Sequence, residues 1–186
     1  MPVTTLDPKT ALVVIDLQKG ILSFPTAHPS GPVVEQAGRL ARAFRHKGLP
    51  VVLVNVAGGA PGRTDAGPMK FTPPPDWLEI VPELAPHPSD IRVTKKQWGA
   101  FYGTALDLEL RRRGVTQIVL CGIATSIGVE STARDAYEHG YNVALVVDAM
   151  TDLSVEAHEN SVMRIFPRLG ETAKTVELLA LLETAG

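Results

Sequence analysis

Five short apolar runs recur along the chain, spaced so that a helix fits between most neighbours. They are ALVVID at 11–16, PVVLVNV at 50–56, IRVT at 91–94, TQIVLCG at 116–122 and NVALVVDA at 142–149. Near-continuous Val, Ile and Leu without polar alternation suits strands buried on both faces, as in a parallel sheet. Helical stripes lie between them. Ala37, Leu40, Ala41 and Phe44 follow the i, i+3, i+4, i+7 pattern, with Gly48 placed to end that helix. Leu106 and Leu110 share a face ahead of Gly114, and Val129, Ala133, Ala136 and Tyr137 form a stripe ahead of Gly140. Segments 155–166 and 176–184 read as two more helices. Alternation of this kind predicts right-handed crossovers with helices on both faces of the sheet. The expected fold is a single α/β domain over 1–186, a three-layer α/β/α sandwich around a mostly parallel, roughly six-stranded, Rossmann-like sheet. The interval 57–90, with GGAPG and a proline-rich tract, breaks the rhythm and predicts a long excursion over the sheet.

Composition narrows the function classes. A length of 186 residues favours one domain. The balance of 18 Lys plus Arg against 20 Asp plus Glu, net −2, removes the basic footprint of a nucleic-acid binder. No apolar run approaches the ~18 residues that cross a bilayer, and the start MPVTTLDPKT lacks a secretory leader's basic and apolar regions. A cytoplasmic protein without membrane or nucleic-acid partners is expected. Cys121 stands alone, which excludes an internal disulfide and gives no thiolate metal site. The histidines (His28, His46, His87, His139 and His158) show no ligand spacing, so no metal and no cofactor is predicted, and surface or interface roles suit them better.

Three places carry residues able to do chemistry. Asp16 closes an apolar strand, which puts its carboxylate at the sheet's C-terminal rim, where ligands bind in such folds. Partial desolvation there raises a carboxyl pKa toward the range useful for acid–base work; the plainer alternative is an Asp that caps a turn. Lys95 follows the third strand in the same way, and a lysine beside a carboxylate either holds it ionised or binds an anion. Lys96 points the other way along an extended segment, and two solvated lysines is the alternative reading. The stretch GIATSIGVESTARDA at 122–136 runs from a strand directly into a helix that Thr125 or Ser126 is placed to cap. Backbone N–H groups at such a helix start favour developing negative charge.

Taken together, these sites resemble the isochorismatase-like hydrolase superfamily over nearly the whole chain. The family's first signature, an aspartate closing an apolar strand and followed by a glutamine, matches LVVIDLQKG with Asp16 and Gln18. Its second, a lysine four residues before a small-Ala-Phe triplet and a Thr-x-Leu helix, matches KKQWGAFYGTAL and selects Lys95. Its third, a strand, a glycine, a non-proline cis peptide and a nucleophile turn, matches LCGIATSIGVESTARDA and puts the cis bond between Ile123 and Ala124.

The resemblance also exposes a departure. The amide-cleaving branch carries a cysteine in the nucleophile turn, where this chain has Gly128. Cys121 sits seven residues earlier within a strand and reads as an inert core residue. Without a thiolate, a covalent thioester route has no nucleophile. The resemblance implies instead an isochorismatase-type scheme, in which the aspartate protonates the vinyl carbon of an enol ether and water then attacks. In that scheme Asp16 is the acid, Lys95 tunes it, and the Ala124 and Gly128 N–H groups bind developing negative charge. Gln18 and Phe24 shape the pocket, Arg63 is the candidate partner for a substrate carboxylate, and Trp98 and Phe101 form an apolar wall or pack in the core. The expected partner is a small-molecule substrate, and relatives of this kind imply a homodimer or homotetramer. Two alternatives stand beside this reading: a non-catalytic binding protein, and a cysteine amidohydrolase whose nucleophile at position 128 was replaced by glycine.

Overall fold

The computed structural model describes residues 3–65, 67 and 72–184, so part of the 57–90 excursion lies outside the described residues. The strands are β1 (Thr10–Ile15), β2 (Val51–Val56), β3 (Ile91–Lys95), β4 (Gln117–Ile123), β5 (Asn142–Thr151) and β6 (Glu171–Ala173). The helices are α1 (Lys19–Leu22), α2 (Ser30–His46), α3 (Leu106–Arg112), α4 (Glu130–Glu138), α5 (Val155–Asn160), α6 (Phe166–Leu169) and α7 (Thr175–Thr184). The strands form one parallel sheet in the order β3-β2-β1-β4-β5-β6. The chain therefore winds outward from β1 to β3, then restarts on the other side of β1 with β4. That reversal leaves a crevice beyond the C-terminal ends of β1 and β4, where doubly wound sheets bind their ligands.

Both faces of the sheet are covered, which is why the strand sequences do not alternate. Leu12 and Val14 of β1 pack with Leu40, Phe44 and Leu178 beneath α2 and α7. Ala11, Val13 and Ile15 face the opposite layer, with Leu106, Leu110, Ala133 and Ala136 of α3 and α4. Cys121 is fully buried, and burial pushes its thiol up to about 12, so it is chemically quiet at neutral pH. Among the described residues no helix is long and apolar enough to cross a membrane.

Local departures from the sequence expectation are small. The helix read over 155–166 is α5 continued by a wide turn, Ser161–Ile165, into α6. Neither Thr125 nor Ser126 caps the helix after β4 with its side chain. The Asp152 carboxylate takes the Ser126 N–H instead (2.6 Å), and the Thr125 hydroxyl donates to the Thr151 carbonyl. A carboxyl group just after β5 thus takes the place of the expected hydroxyl cap on an orphan helix N–H.

Candidate active site

The site begins with how β1 ends. Asp16 takes a left-handed conformation (φ 52°), its N–H bonded to the Val54 carbonyl and its own carbonyl accepting from Gln18 N–H. Aspartate tolerates this region better than most side chains. Beside it, Gly122 of β4 has φ 125°, and a Cβ there would lie 2.0 Å from the Ile15 carbonyl oxygen. Only glycine permits that approach, which brings the chain leaving β4 against the end of β1. The Ile123–Ala124 peptide is cis, as the motif implied. Ala124 is half-buried and opens a π-helical turn, Thr125–Val129, that leads into α4.

Lys95, the last residue of β3, reaches across to Asp16. Its ammonium lies 2.7 Å from Asp16 Oδ2, and both side chains are almost completely buried. The remaining ammonium protons donate to the carbonyls of Gln97 (3.1 Å) and Trp98 (2.8 Å). All three donors of Lys95 are therefore committed within the protein. Asp16 is less complete, since its Oδ1 is buried without a hydrogen-bond partner. Burial raises the Asp16 carboxyl to about 6, against the opposing pull of Lys95. Desolvation outweighs an adjacent cation here, and the result is a weak acid that titrates close to neutrality.

Gly128 completes the arrangement. A Cβ on this residue would lie 3.0 Å from Ile15 Cγ2, 3.3 Å from Asp16 Oδ2 and 3.5 Å from Lys95 Nζ. Any side chain at 128 would thus point at the charged pair, and glycine leaves that direction open. The surrounding turn is tied on two sides. Thr132 Oγ1 donates to the Gly128 carbonyl (2.6 Å) and accepts from Ala100 N–H (3.1 Å), joining it to the loop that carries the acceptors of Lys95. From just after β5 and from α5 come Asp152 on Ser126 N–H and His158 Nδ1 on Thr125 Oγ1 (2.8 Å).

The other sequence candidates are more dispersed. Gln18 is fully buried, and its amide is spent on backbone: Nε2 donates to the carbonyls of Val56 and Trp77, and Oε1 accepts from Val56 N–H. It stitches the ends of β1 and β2 to the later loop. Phe24 is partly exposed and meets Trp77 edge to face, ring centroids 5.9 Å apart. Trp98 is 65% exposed, whereas Phe101 is buried in the α3/α4 layer, stacked on His139 and close to Tyr141. Core packing, the second of the two expectations, describes Phe101. Arg63 lies on the exposed loop after β2, and the structure gives it no contact with the Asp16–Lys95 pair. Among the described residues no group of three or more His, Cys, Asp or Glu is placed to hold a metal ion.

Sequence reasoning missed Trp77, Thr132, Asp152 and His158. Trp77 had a signal in Gly20, whose missing Cβ would lie within 2.3 Å of the indole, and its Nε1 donates to the Val56 carbonyl. The other three act through long-range hydrogen bonds that no local pattern announces.

Residues 10–177 match the family model of the isochorismatase domain. The chain belongs to the isochorismatase family. A curated relative, the uncharacterized isochorismatase family protein YwoC of Bacillus subtilis, is 50% identical over 183 residues, covering 92% of this chain and 93% of its own. The ureidoacrylate amidohydrolase RutB of Methylobacterium radiotolerans is 32% identical, covering 77% of this chain and 68% of its own. Among solved structures, an isochorismatase family protein from Burkholderia thailandensis superposes with a TM-score of 0.92 at 47% identity, over 96% of this chain and 98% of that one. This isochorismatase-family hydrolase has the fold its motifs implied, and its relatives include an amide-cleaving enzyme by name.

Proposed function

We propose that this hydrolase acts on a small organic molecule by acid–base catalysis from Asp16, without a covalent cysteine intermediate. The enol-ether linkage of an isochorismate-type substrate is the bond it is best equipped to cleave. The observation that carries this reading is the pairing of a raised, partly unpartnered Asp16 carboxyl with an empty side-chain direction at Gly128. A carboxyl near 6 is protonated often enough at mildly acidic to neutral pH to give up a proton, and acidic enough to do so readily.

In this scheme Asp16 Oδ1 delivers its proton to the terminal vinyl carbon. The ether oxygen's lone pair stabilises the resulting oxocarbenium ion, beside the newly formed Asp16 carboxylate. Water adds to the oxygen-bearing carbon of that ion and loses a proton, and the hemiketal collapses with its hydroxyl proton passing to the departing alkoxide. The products are an alcohol and pyruvate; a proton from water restores Asp16. Lys95 keeps the carboxylate state within reach, because its ammonium opposes the desolvation that would otherwise hold Asp16 protonated. The N–H groups of Ala124 and Gly128 are the donors assigned to negative charge on the substrate, and Gln18 and Phe24 set the pocket's shape from the β1 side.

Amide cleavage by the cysteine route is disfavoured by the same geometry. The position facing Asp16 and Lys95 carries no side chain, and Cys121 is sealed in the core. The test is pyruvate release from isochorismate by the purified protein, with Asp16→Ala as control. Release that disappears in the variant supports the acid role; release that persists removes it. Tight binding without turnover across a broad panel would favour the non-catalytic alternative.

A further inference from the structure

A second cluster lies on the same rim and is unused by the chemistry above. His28, on the segment entering α2, and His158, on α5, meet edge to face with ring centroids 5.0 Å apart. Each ring is anchored through Nδ1, His158 on Thr125 Oγ1 (2.8 Å) and His28 near Thr151 Oγ1 (3.3 Å). The Thr125 hydroxyl proton is directed to the Thr151 carbonyl (3.0 Å), so Thr125 Oγ1 accepts and His158 carries its hydrogen on Nδ1. Among the described residues neither Nε2 has a hydrogen-bond partner, and neither is among the buried unpartnered atoms. Both second nitrogens are therefore open to a ligand. Thr125 begins the turn that carries Gly128, so the imidazole pair and the Asp16 centre are held by the same turn.

Charge accounting points to the ligand's class. Lys95 has no spare proton for a substrate anion, because Asp16, Gln97 and Trp98 take all three. The groups facing His158 are His28, Asp152 and Glu159. The two oxygens of Asp152 are occupied by the N–H groups of Ser126 and Leu153. Two imidazoles in contact repel once both are protonated, and an anion shared between them removes that repulsion. We propose that His28 and His158 form a carboxylate-binding subsite through their Nε2 atoms, holding the anionic end of the molecule on which Asp16 acts.

This assignment rests on the Asp16 reading for its place in a reaction, although binding itself does not require turnover. Burial and the neighbouring His28 hold His158 below the usual histidine range. A carboxylate that prefers the imidazolium form therefore binds with proton uptake, and more tightly as pH falls through that range. Linkage requires that the same anion raise the pKa of His158.

The experiment is an NMR titration of the histidine rings in the full chain with sodium acetate, against sodium chloride at matched ionic strength, at pH 6 and pH 8. The expected result is a saturable shift of the His28 and His158 signals, severalfold tighter at pH 6, with His46, His87 and His139 unmoved. In His158→Asn the amide keeps a donor toward Thr125 but deletes Nε2, so the saturable shift should vanish and KM for a carboxylate substrate should rise about tenfold. The absence of a saturable shift in the wild type overturns the subsite, as does an equal drift of all five histidines. The wild-type titration decides the matter even where a variant folds poorly. A negative titration leaves Asp16 catalysis standing, whereas hydrolysis that survives Asp16→Ala removes the reaction and leaves the binding result intact.

Discussion

Two ion pairs with buried carboxylates sit at opposite ends of the same sheet, and they differ in how completely the carboxylate is satisfied. At the N-terminal end, Arg45 grips Asp90 with two parallel bonds of 2.9 Å and donates a third to the Leu84 carbonyl, while Asp90 also accepts from His87 N–H. Both Asp90 oxygens are satisfied, and the pair locks α2 to the segment entering β3. At the C-terminal end, Lys95 meets Asp16 through one oxygen and leaves the other buried and alone. A protein that only needed stability would complete the second pair as it completes the first, since an unpartnered buried acceptor costs about 1–3 kcal/mol. Under the proposed function, the difference separates a structural bridge from a site held ready for a ligand.

The strongest way to break this comparison is to remove one charge from each pair. Asp16→Asn should lower kcat by a thousandfold or more, roughly the upper range of general acid catalysis, with only a modest change in Tm. Asp90→Asn should leave kcat within about twofold and cost stability of about 1–3 kcal/mol, because it leaves a half-buried guanidinium without its carboxylate. Chemical denaturation and steady-state kinetics on the two variants check both halves. Equal kinetic effects would erase the distinction drawn here.

Gly128→Cys sharpens the comparison by filling the open direction at Asp16. Its thiol would enter beside Asp16 and Lys95 and should confer measurable amidase activity while suppressing enol-ether cleavage. Overpacking against Ile15 should cost about 1–3 kcal/mol. A folded variant with neither change would show that position 128 does not face the reacting centre.

The pH dependence follows from the sign of the Asp16 shift. Its carboxyl is raised from 3.8 to about 6, so the folded protein binds more protons than the unfolded chain across that window. This group's contribution to stability is therefore greatest at low pH and is lost as pH rises through the window, by about 3 kcal/mol. As a general acid it should give a kcat/KM that falls about tenfold per pH unit above about 6. Lys95→Gln removes the cation that opposes desolvation and should move that limb to higher pH. A rising limb over the same range would assign Asp16 as a base.

The smallest effects concern the aromatics. Phe101→Leu should cost about 1 kcal/mol of stability through lost packing, while Trp98→Ala should leave stability within about 0.5 kcal/mol because its ring is largely solvent-exposed. Thermal melts of the two variants distinguish a core ring from a surface one.

Much of this was legible in the chain because it is local. The Val, Ile and Leu runs announced β1, β2, β4 and β5, and a strand end fixes where Asp16 and Lys95 emerge. Gly128 was marked by the resemblance of the 122–136 stretch to the family's nucleophile turn, not by any property of the glycine itself. By contrast, β6 is three residues long and pairs only with β5, too short to leave a periodic signal. The Asp152 cap and the meeting of His28 with His158 join residues 26 and 130 positions apart in sequence, respectively. Such contacts arise from the sheet order, which brings the ends of β4 and β5 together, and not from any nearby pattern. Phe101 shows the same limit: an aromatic beside a motif reads alike whether it lines a pocket or fills a core.

The most direct test of the central claim needs no substrate. It is a carboxyl-detected NMR titration of Asp16 in the wild-type protein. The account predicts a midpoint near 6, set by burial against the pull of Lys95. A midpoint at or below the ordinary 3.8 would mean that Lys95 dominates, that Asp16 stays ionised, and that it does not serve as the acid.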